Sequence, residues 1–242
     1  MPPDAAPALL ELAGVTAGYR RLQVLWGVDL VVRDHESVVL LGANGAGKTT
    51  LLKAIMNLVG TWAGRIGFAG DDITRLRTDQ RVRRGVVFMS ETSGFPGLTI
   101  EENILIGAQF LSRSRARERI DELYSVFPAL AERRRARAGS LSGGQRKMLG
   151  VAKALVGDPR LLVMDEPSAG LSPLFVKEVI ALLARFRERE QRLSLLIAEQ
   201  NVNFLTLADR VYTLDNGRIG FAGTVSAMQE NDALRRAYFG LK

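Results

Sequence analysis

Apolar residues recur at two spacings along this chain. Residues 9–13 and 24–32 alternate, most clearly in Val28-Asp29-Leu30-Val31-Val32, and predict strands with one face buried. Residues 37–41, 85–89, 161–166 and 193–198 are short continuous apolar runs bounded by turn chemistry, which predicts strands buried on both faces. The helical period appears at residues 48–58 and 78–84. It returns where Ile120, Leu123, Tyr124 and Phe127 form one face, and where Phe175, Val179, Leu182, Leu183 and Phe186 form another. Thr99-Ile100-Glu101-Glu102 opens a further helix with a capping box, and Ser142 caps one running to about residue 156. Residues 64–70 predict a short strand and turn, residues 211–214 and 218–222 a hairpin through Asp215-Asn216-Gly217, and residues 233–238 a terminal helix. Strands alternating with helices predict an α/β fold. Residues 96–156 are mainly helical and are inserted between core strands with no linker on either side, so the whole span 1–242 reads as one domain carrying a helical subdomain.

One predicted strand-to-helix junction carries chemistry. Gly42-Ala43-Asn44-Gly45-Ala46-Gly47-Lys48-Thr49 fits G-x-x-x-x-G-K-[ST] at every fixed position, with residues 37–41 before it and a helix after it. Its glycines let successive backbone N–H groups face phosphate oxygens, and the helix adds its unpaired N-terminal donors. Lys48 is placed to reach the β- and γ-phosphates, and the Thr49 hydroxyl to join a magnesium ion.

Composition narrows the setting. The 242 residues are 47% hydrophobic and 24% charged, ordinary for a chain with a sizeable core. There is no cysteine, which excludes disulfides and thiolate metal sites. The first seven residues lack a basic stretch followed by an apolar one, so no signal peptide is expected, and no apolar run reaches the length that spans a bilayer. The net charge of +7 invites a nucleic-acid or lipid-surface reading. Yet Arg133-Arg134-Arg135-Ala136-Arg137 has no interleaved aromatics for base stacking, and the other arginines are mixed with acids; a solvated helix face is expected. His35, the one histidine, lies in a charged turn and has no second histidine with which to form a metal cluster.

Two more stretches point to phosphate chemistry. Leu141-Ser142-Gly143-Gly144-Gln145 opens a helix with glycines that permit close approach, and is a second anion site. Leu161-Leu162-Val163-Met164-Asp165-Glu166 is an apolar strand ending in two carboxylates, at the strand end where open α/β sheets bind ligands. Asp165 fits a magnesium-holding carboxylate, and Glu166 a group that polarises the attacking water. Tyr19, in Ala17-Gly18-Tyr19-Arg20, offers a ring that could stack on a base, or is simply a turn tyrosine.

The loop, the glycine-rich helix start and the carboxylate strand, in this order and at these separations, resemble the ATPase subunit of ABC transporters over essentially the whole chain. Pro167-Ser168-Ala169-Gly170-Leu171 resembles that family's D-loop, and Tyr19 matches its adenine-stacking position. The resemblance implies a phosphate-loop NTPase core of the RecA-like type with a small antiparallel β subdomain and the inserted helical one. It implies ATP held by Tyr19, Gly42, Asn44, Gly45, Ala46, Gly47, Lys48, Thr49, Thr50 and, from a second subunit, the equivalents of Ser142, Gly143, Gly144 and Gln145. It implies Mg²⁺ on Thr49, Glu91 and Asp165, and hydrolysis by Glu166 with Gln200.

Two positions depart from the family's usual residues. Glu91 stands where glutamine is normal and Gln200 where histidine is normal. Both departures are similar to the second, shorter ATPase of branched-chain amino-acid importers and its urea- and amide-importer relatives, as are Glu199-Gln200-Asn201 and the Ala237-Tyr238-Phe239-Gly240 ending. Gln200 can donate a hydrogen bond to a phosphate but carries no charge. The partners implied are a second ATPase subunit, identical or different, meeting this one head to tail, two membrane-spanning permease subunits and, indirectly, a solute-binding protein, with no nucleic acid. The chain would then be peripheral on the cytoplasmic face of the inner membrane. A non-transport ABC ATPase and an ATP-holding regulatory module are the rival readings.

Overall fold

The alternating N-terminal residues form a hairpin longer than their pattern suggests. In the computed structural model, which describes residues 7–90, 94–190 and 192–240, β1 (Ala8–Tyr19) pairs antiparallel with β2 (Leu22–Arg33). Register shifts between Leu12 and Val15 and between Val15 and Ala17 break the two-residue period, so the apolar alternation stops before the backbone pairing does. β4 (Thr61–Phe68) and β5 (Asp71–Asp72) complete a four-stranded antiparallel sheet in the order β2-β1-β4-β5.

The continuous apolar runs form the second sheet. β3 (Ser37–Leu41), β6 (Val86–Met89), β7 (Leu161–Asp165), β8 (Ser194–Glu199), β9 (Arg210–Asp215) and β10 (Arg218–Gly223) lie in the order β10-β9-β3-β8-β7-β6, parallel apart from the β9–β10 hairpin. Val39, Leu41, Leu162, Met164, Leu195 and Ile197 point into one core, while Val38, Leu40, Leu161, Val163, Leu196 and Ala198 point into the other. Both faces are covered, which is why these strands read as unbroken hydrophobic runs.

The helices are α1 (Lys48–Ile55), α2 (Thr78–Arg83), α3 (Ile100–Gly107), α4 (Arg113–Val126), α5 (Pro128–Glu132), α6 (Gly143–Leu155), α7 (Pro173–Arg189), α8 (Val225–Glu230) and α9 (Asp232–Phe239). Leu149 and Val151 of α6 with Val179 and Leu183 of α7 enter the first core; Leu51, Leu52 and Ile55 of α1 enter the second beside Leu10, Leu25 and Leu30 of the antiparallel sheet. α1 ends at Ile55, short of the expected residue 58, because Asn57 takes a left-handed conformation (φ 54°). The fully buried guanidinium of Arg81 donates to Ala54 O at 3.0 Å and to Ile55 O, placing a cation on the last carbonyls of that helix. It also donates to Thr74 O at 2.8 Å and Leu76 O at 3.0 Å, and burial pushes its pKa down to about 10.

α3 to α6 follow β6 and precede β7. Thr99 and Glu102 cap α3 reciprocally, at 3.1 Å and 2.7 Å. Arg119 of α4 donates to Leu155 O of α6 at 3.1 Å and pairs with Glu190 at the end of α7, joining these helices to the core. The arginine run 133–137 is a correction to the sequence reading. It follows α5 as an exposed turn leading to a bridge between Thr99 and Arg137, and forms no helix face. The tail holds α8 as well as the expected terminal helix; Thr224 caps α8 by accepting from Ala227 N at 3.1 Å.

Candidate functional site

Three parallel strands, β3, β8 and β7, lie side by side and end together, and each passes into a loop carrying polar residues. After β3 come Gly42 to Gly47; after β8 come Gln200 and Asn201; after β7 comes Glu166. Burial of the strands on both faces leaves their carboxyl ends as the place where side chains of three distant segments can meet.

The loop after β3 wraps the start of α1. Gly45 (φ 82°) and Gly47 (φ 106°) take conformations that favour glycine, and Gly47 is the N-cap, so no side chain occupies the first-turn donors of α1. Asn44 and Gly45 are exposed, while Ala46, Gly47, Lys48 and Thr50 are buried. Lys48, 4% exposed, turns its Nζ back over the loop. It donates to Gly42 O at 2.8 Å and Ala43 O at 3.1 Å and lies 3.0 Å from Glu166 Oε1. An ammonium has three donors, and these three acceptors match them.

The two carboxylates after β7 differ in setting. Thr49 Oγ1 donates to Asp165 Oδ1 at 3.0 Å. Burial pushes the Asp165 carboxyl above its usual value; the Thr49 hydrogen bond pulls it back, and the charge on Glu166 adds to the rise. Glu166 is partly buried, its side chain 22% exposed, and sits at φ 46°, unusual for a residue with a Cβ. Its N–H donates to Ala198 O at 2.9 Å, and Lys147 Nζ donates to its carbonyl at 3.2 Å. The left-handed turn directs its carboxylate towards Lys48 and Gln200. Gln200 Nε2 donates to Asn44 Oδ1 at 2.7 Å and lies 3.4 Å from Glu166 Oε1. Asn44, Lys48, Glu166 and Gln200 therefore form one connected polar group.

Glu199 belongs to none of the phosphate-binding motifs, yet it lies beneath this group. It is 2% exposed, and its carboxylate accepts the backbone N–H groups of Ser168, Gln200 and Asn201 at 2.7, 3.0 and 3.2 Å. A charged residue ending an apolar strand was the available signal, the same one that marks Asp165.

Tyr19 ends β1 and is 43% exposed. Its hairpin is fastened to the phosphate loop through Gly217, in the β9–β10 turn. Gly217 N donates to Ala46 O at 2.9 Å, and Trp26 N of β2 donates to Gly217 O at 2.9 Å. Gly217 has φ 74°, and a Cβ there would stand 1.8 Å from Val24 O. Nothing in its local pattern distinguishes this glycine from an ordinary hairpin glycine.

The glycine-rich start of α6 is built differently from the start of α1. Ser142 Oγ accepts Gln145 N at 3.3 Å while Gln145 Oε1 accepts Ser142 N at 3.0 Å. Gln145 is thus used in capping, and the Ser142 hydroxyl keeps its proton to donate. Gly143 faces open space, as close approach of a ligand requires. Gly144 does not: a Cβ there would meet the Phe175 ring at 2.7 to 2.8 Å, so its smallness serves packing against α7. Among the described residues no hydrogen bond joins residues 142–145 to residues 42–50. The expectation for Glu91 lies outside the described residues.

Chemically, the carboxyl end of the sheet offers unpaired helix donors and a lysine for phosphates, a hydroxyl–carboxylate pair suited to a hard cation, and a carboxylate beside an amide for orienting water. Among the described residues no group of three or more His, Asp or Glu is gathered that could hold a metal by itself. No helix among them is long and apolar enough to cross a membrane.

Comparison with known proteins agrees with this geometry. Residues 25–169 match the family described as ABC transporter. The chain is 34% identical to the "Probable branched-chain amino acid transport ATP-binding protein LivF" of Archaeoglobus fulgidus, over 96% of this chain and 99% of that one. It is 36% identical to the "High-affinity branched-chain amino acid transport ATP-binding protein BraG" of Pseudomonas aeruginosa, over 96% and 100%. It is also 32% identical to the "Lipopolysaccharide export system ATP-binding protein LptB" of Haemophilus influenzae, over 96% and 98%. Among solved structures, an ATP-binding cassette of an ABC transporter in its ADP conformation shares the fold with a TM-score of 0.83 at 24% identity, over 98% of this chain and 100% of that one. A phosphate loop, a carboxylate strand and full-length likeness to these cassettes lead to one assignment: the chain belongs to the ABC transporter family and is one of its ATP-binding, ATP-hydrolysing subunits.

Proposed function

We propose that this subunit hydrolyses MgATP at the carboxyl ends of β3, β7 and β8 to energise an importer of branched-chain amino acids. The observation that carries the hydrolytic part is the convergence of Lys48, Glu166, Gln200 and Asn44 within hydrogen-bond reach, from segments as far apart as 156 residues. Gly42 to Thr50 hold the phosphates, with Lys48 exchanging its carbonyl partners for phosphate oxygens. Tyr19 stacks on adenine. Glu166 orients and deprotonates the attacking water, and Gln200 donates to the γ-phosphate. Catalysis here is positioning and charge neutralisation, since phosphoryl transfer asks little covalent chemistry of the protein.

Asp165 and Thr49 fit a magnesium ion: the carboxyl is buried, burial raises its pKa above the usual carboxylate value, and a hydroxyl already touches it. Mg²⁺ asks for one or two carboxylates and takes its remaining ligands from phosphate and water, so the lack of a larger acidic group among the described residues is no obstacle. Bound there, the ion would neutralise charge on the β- and γ-phosphates.

A second cassette, identical or different, supplies Ser142, Gly143 and Gly144 across the nucleotide. Two separated helix N-termini in one chain, neither enclosing a triphosphate, support that reading. A groove of about 250 Å³ between α2, the end of β6 and α3, lined by Val82, Phe88, Met89, Ile106 and Phe110, is a seat for a short helix of a permease subunit. The α3 to α6 segment, residues 96–156, acts as the lobe that carries this contact, and the chain works peripherally at the cytoplasmic membrane face.

Branched-chain amino-acid import is supported by the two full-length relatives so named and by Glu199-Gln200-Asn201. The test is to co-purify the membrane subunits with the tagged chain and measure leucine uptake in proteoliposomes. ATP-driven uptake that is lost in Glu166→Gln supports the reading. Capture of lipopolysaccharide-exporting subunits, or import of urea or short amides in place of leucine, overturns the substrate assignment.

A further inference from the structure

Glu199 touches all three loops of the site. Its backbone carbonyl accepts Gly42 N at 3.3 Å, at the entry to the phosphate loop. One carboxylate oxygen, Oε1, accepts Ser168 N at 2.7 Å, two residues past Glu166. The other, Oε2, accepts Gln200 N at 3.0 Å and Asn201 N at 3.2 Å. The side chain is 2% exposed, so water does not compete for these bonds. Three amides on a buried carboxylate form a charge-assisted set, stronger than bonds between neutral groups.

We propose that Glu199 is a positioning residue for hydrolysis. Its carboxylate sets the loop carrying Glu166 against the loop carrying Gln200, and so fixes the 3.4 Å separation between those two side chains. β8 lies between β3 and β7, so its last residue meets both neighbouring loops, the one after β7 through its side chain and the one after β3 through its backbone carbonyl. The loop after β7 has reason to need holding. Glu166 is in a left-handed conformation, and tight turns follow at once, with Ala169 N donating to Glu166 O and Leu171 N to Ser168 O. Without Ser168 N fixed, the Glu166 carboxylate has its bonds to Lys48 and Gln200 to orient it but loses the backbone anchor on its C-terminal side.

The choice of glutamate follows from donor and acceptor counting. A glutamine here has one oxygen for three N–H groups and an NH₂ that faces one of them. Keeping the oxygen on Gln200 N and Asn201 N turns the NH₂ towards Ser168 N and releases the loop after β7. Aspartate keeps the charge and both oxygens on a shorter arm.

This inference rests on Glu166 and Gln200 being the hydrolytic pair, and the experiment separates the two ideas. Single-turnover hydrolysis of MgATP by the assembled transporter, co-purified with its membrane and partner subunits and held in excess over nucleotide, is measured for wild type, Glu199→Gln, Glu199→Asp, Gln200→Ala, Glu166→Gln and the double variant Glu199→Gln with Gln200→Ala. Affinity for a non-hydrolysable ATP analogue and the thermal midpoint are measured alongside. Glu199→Gln is expected to slow hydrolysis about ten- to a hundredfold, with unchanged analogue affinity. Glu199→Asp is expected to recover part of the rate, and Gln200→Ala to cost less in the Glu199→Gln background than in wild type. A wild-type rate in Glu199→Gln overturns the proposal. So does a loss of rate, affinity and midpoint together, which marks a purely structural role, or strict additivity in the double variant. Wild-type turnover in Glu166→Gln instead overturns the hydrolytic reading itself.

Discussion

Lys48 Nζ lies 3.0 Å from Glu166 Oε1, so the cation of the phosphate loop and the carboxylate after β7 neutralise one another across the site. The ammonium is almost fully buried and its other two donors rest on Gly42 O and Ala43 O. A phosphate approaching Lys48 therefore competes with partners already in place, and releasing Lys48 frees the Glu166 carboxylate to face water. On the proposed roles of Lys48 and Glu166, nucleotide binding and activation of the base are coupled through this one ion pair.

Glu166→Gln separates these roles. The neutral amide weakens the hold on Lys48, so nucleotide affinity is expected to be equal or tighter. Hydrolysis is expected to fall by at least about a hundredfold, because the amide cannot take a proton. Titration calorimetry with MgATP and a phosphate-release assay check both halves; weaker binding would contradict the competition described above.

Lys48→Ala should act on the other side of the pair. It removes a charge-assisted contact to phosphate and leaves Glu166 without its cation, so affinity for MgATP is expected to fall about ten- to a hundredfold. Thermal unfolding without nucleotide should stay cooperative. Unchanged affinity would place the phosphates elsewhere.

Gly144→Ala tests what the second glycine of the α6 start is for. Its new methyl group meets the Phe175 ring at 2.7 to 2.8 Å, and such overpacking costs about 1–3 kcal/mol. A lowered thermal midpoint is expected, and Phe175→Leu in the same chain should restore part of it. If the midpoint does not move, the tight contact with α7 is not what demands glycine.

Gly217→Ala reaches the nucleotide site from the hairpin. The left-handed backbone costs an alanine about 1–2 kcal/mol, and its Cβ would overlap Val24 O, 1.8 Å away. The turn must then withdraw from Ala46 O and from Trp26 N. Weaker MgATP binding is expected together with lower stability, whereas Asn216→Gly, at a position with φ 46° and in the same turn, should leave binding intact. Calorimetry on both variants distinguishes them.

The continuous strands were readable in the sequence because burial on both faces removes polar positions from them. The antiparallel hairpin was only partly readable, since register shifts within residues 12–17 spoil the alternation that marks a strand. Arg133 to Arg137 misled because like charges mark a solvated surface without distinguishing helix from turn; here the segment turns, with Ala136 N donating to Arg133 O, and ends at the bridge between Thr99 and Arg137.

What the sequence determined alone is whatever depends on neighbours along the chain. Glycines at 42, 45 and 47 before Lys48-Thr49 make a loop that must open a helix, and Asp165-Glu166 must fall at a strand end. Periodicity and turn chemistry are local, so local residues suffice to specify them. The pairing of Lys48 with Glu166, the span of Glu199 from Ser168 to Gln200, the packing of Gly144 on Phe175 and the seating of Gly217 between Val24 and Ala46 were decided by the fold. Each joins segments that meet only once β8 has been laid between β3 and β7, α7 against α6, or the hairpin against the phosphate loop, and no local pattern of apolar and polar residues records which loop will face which.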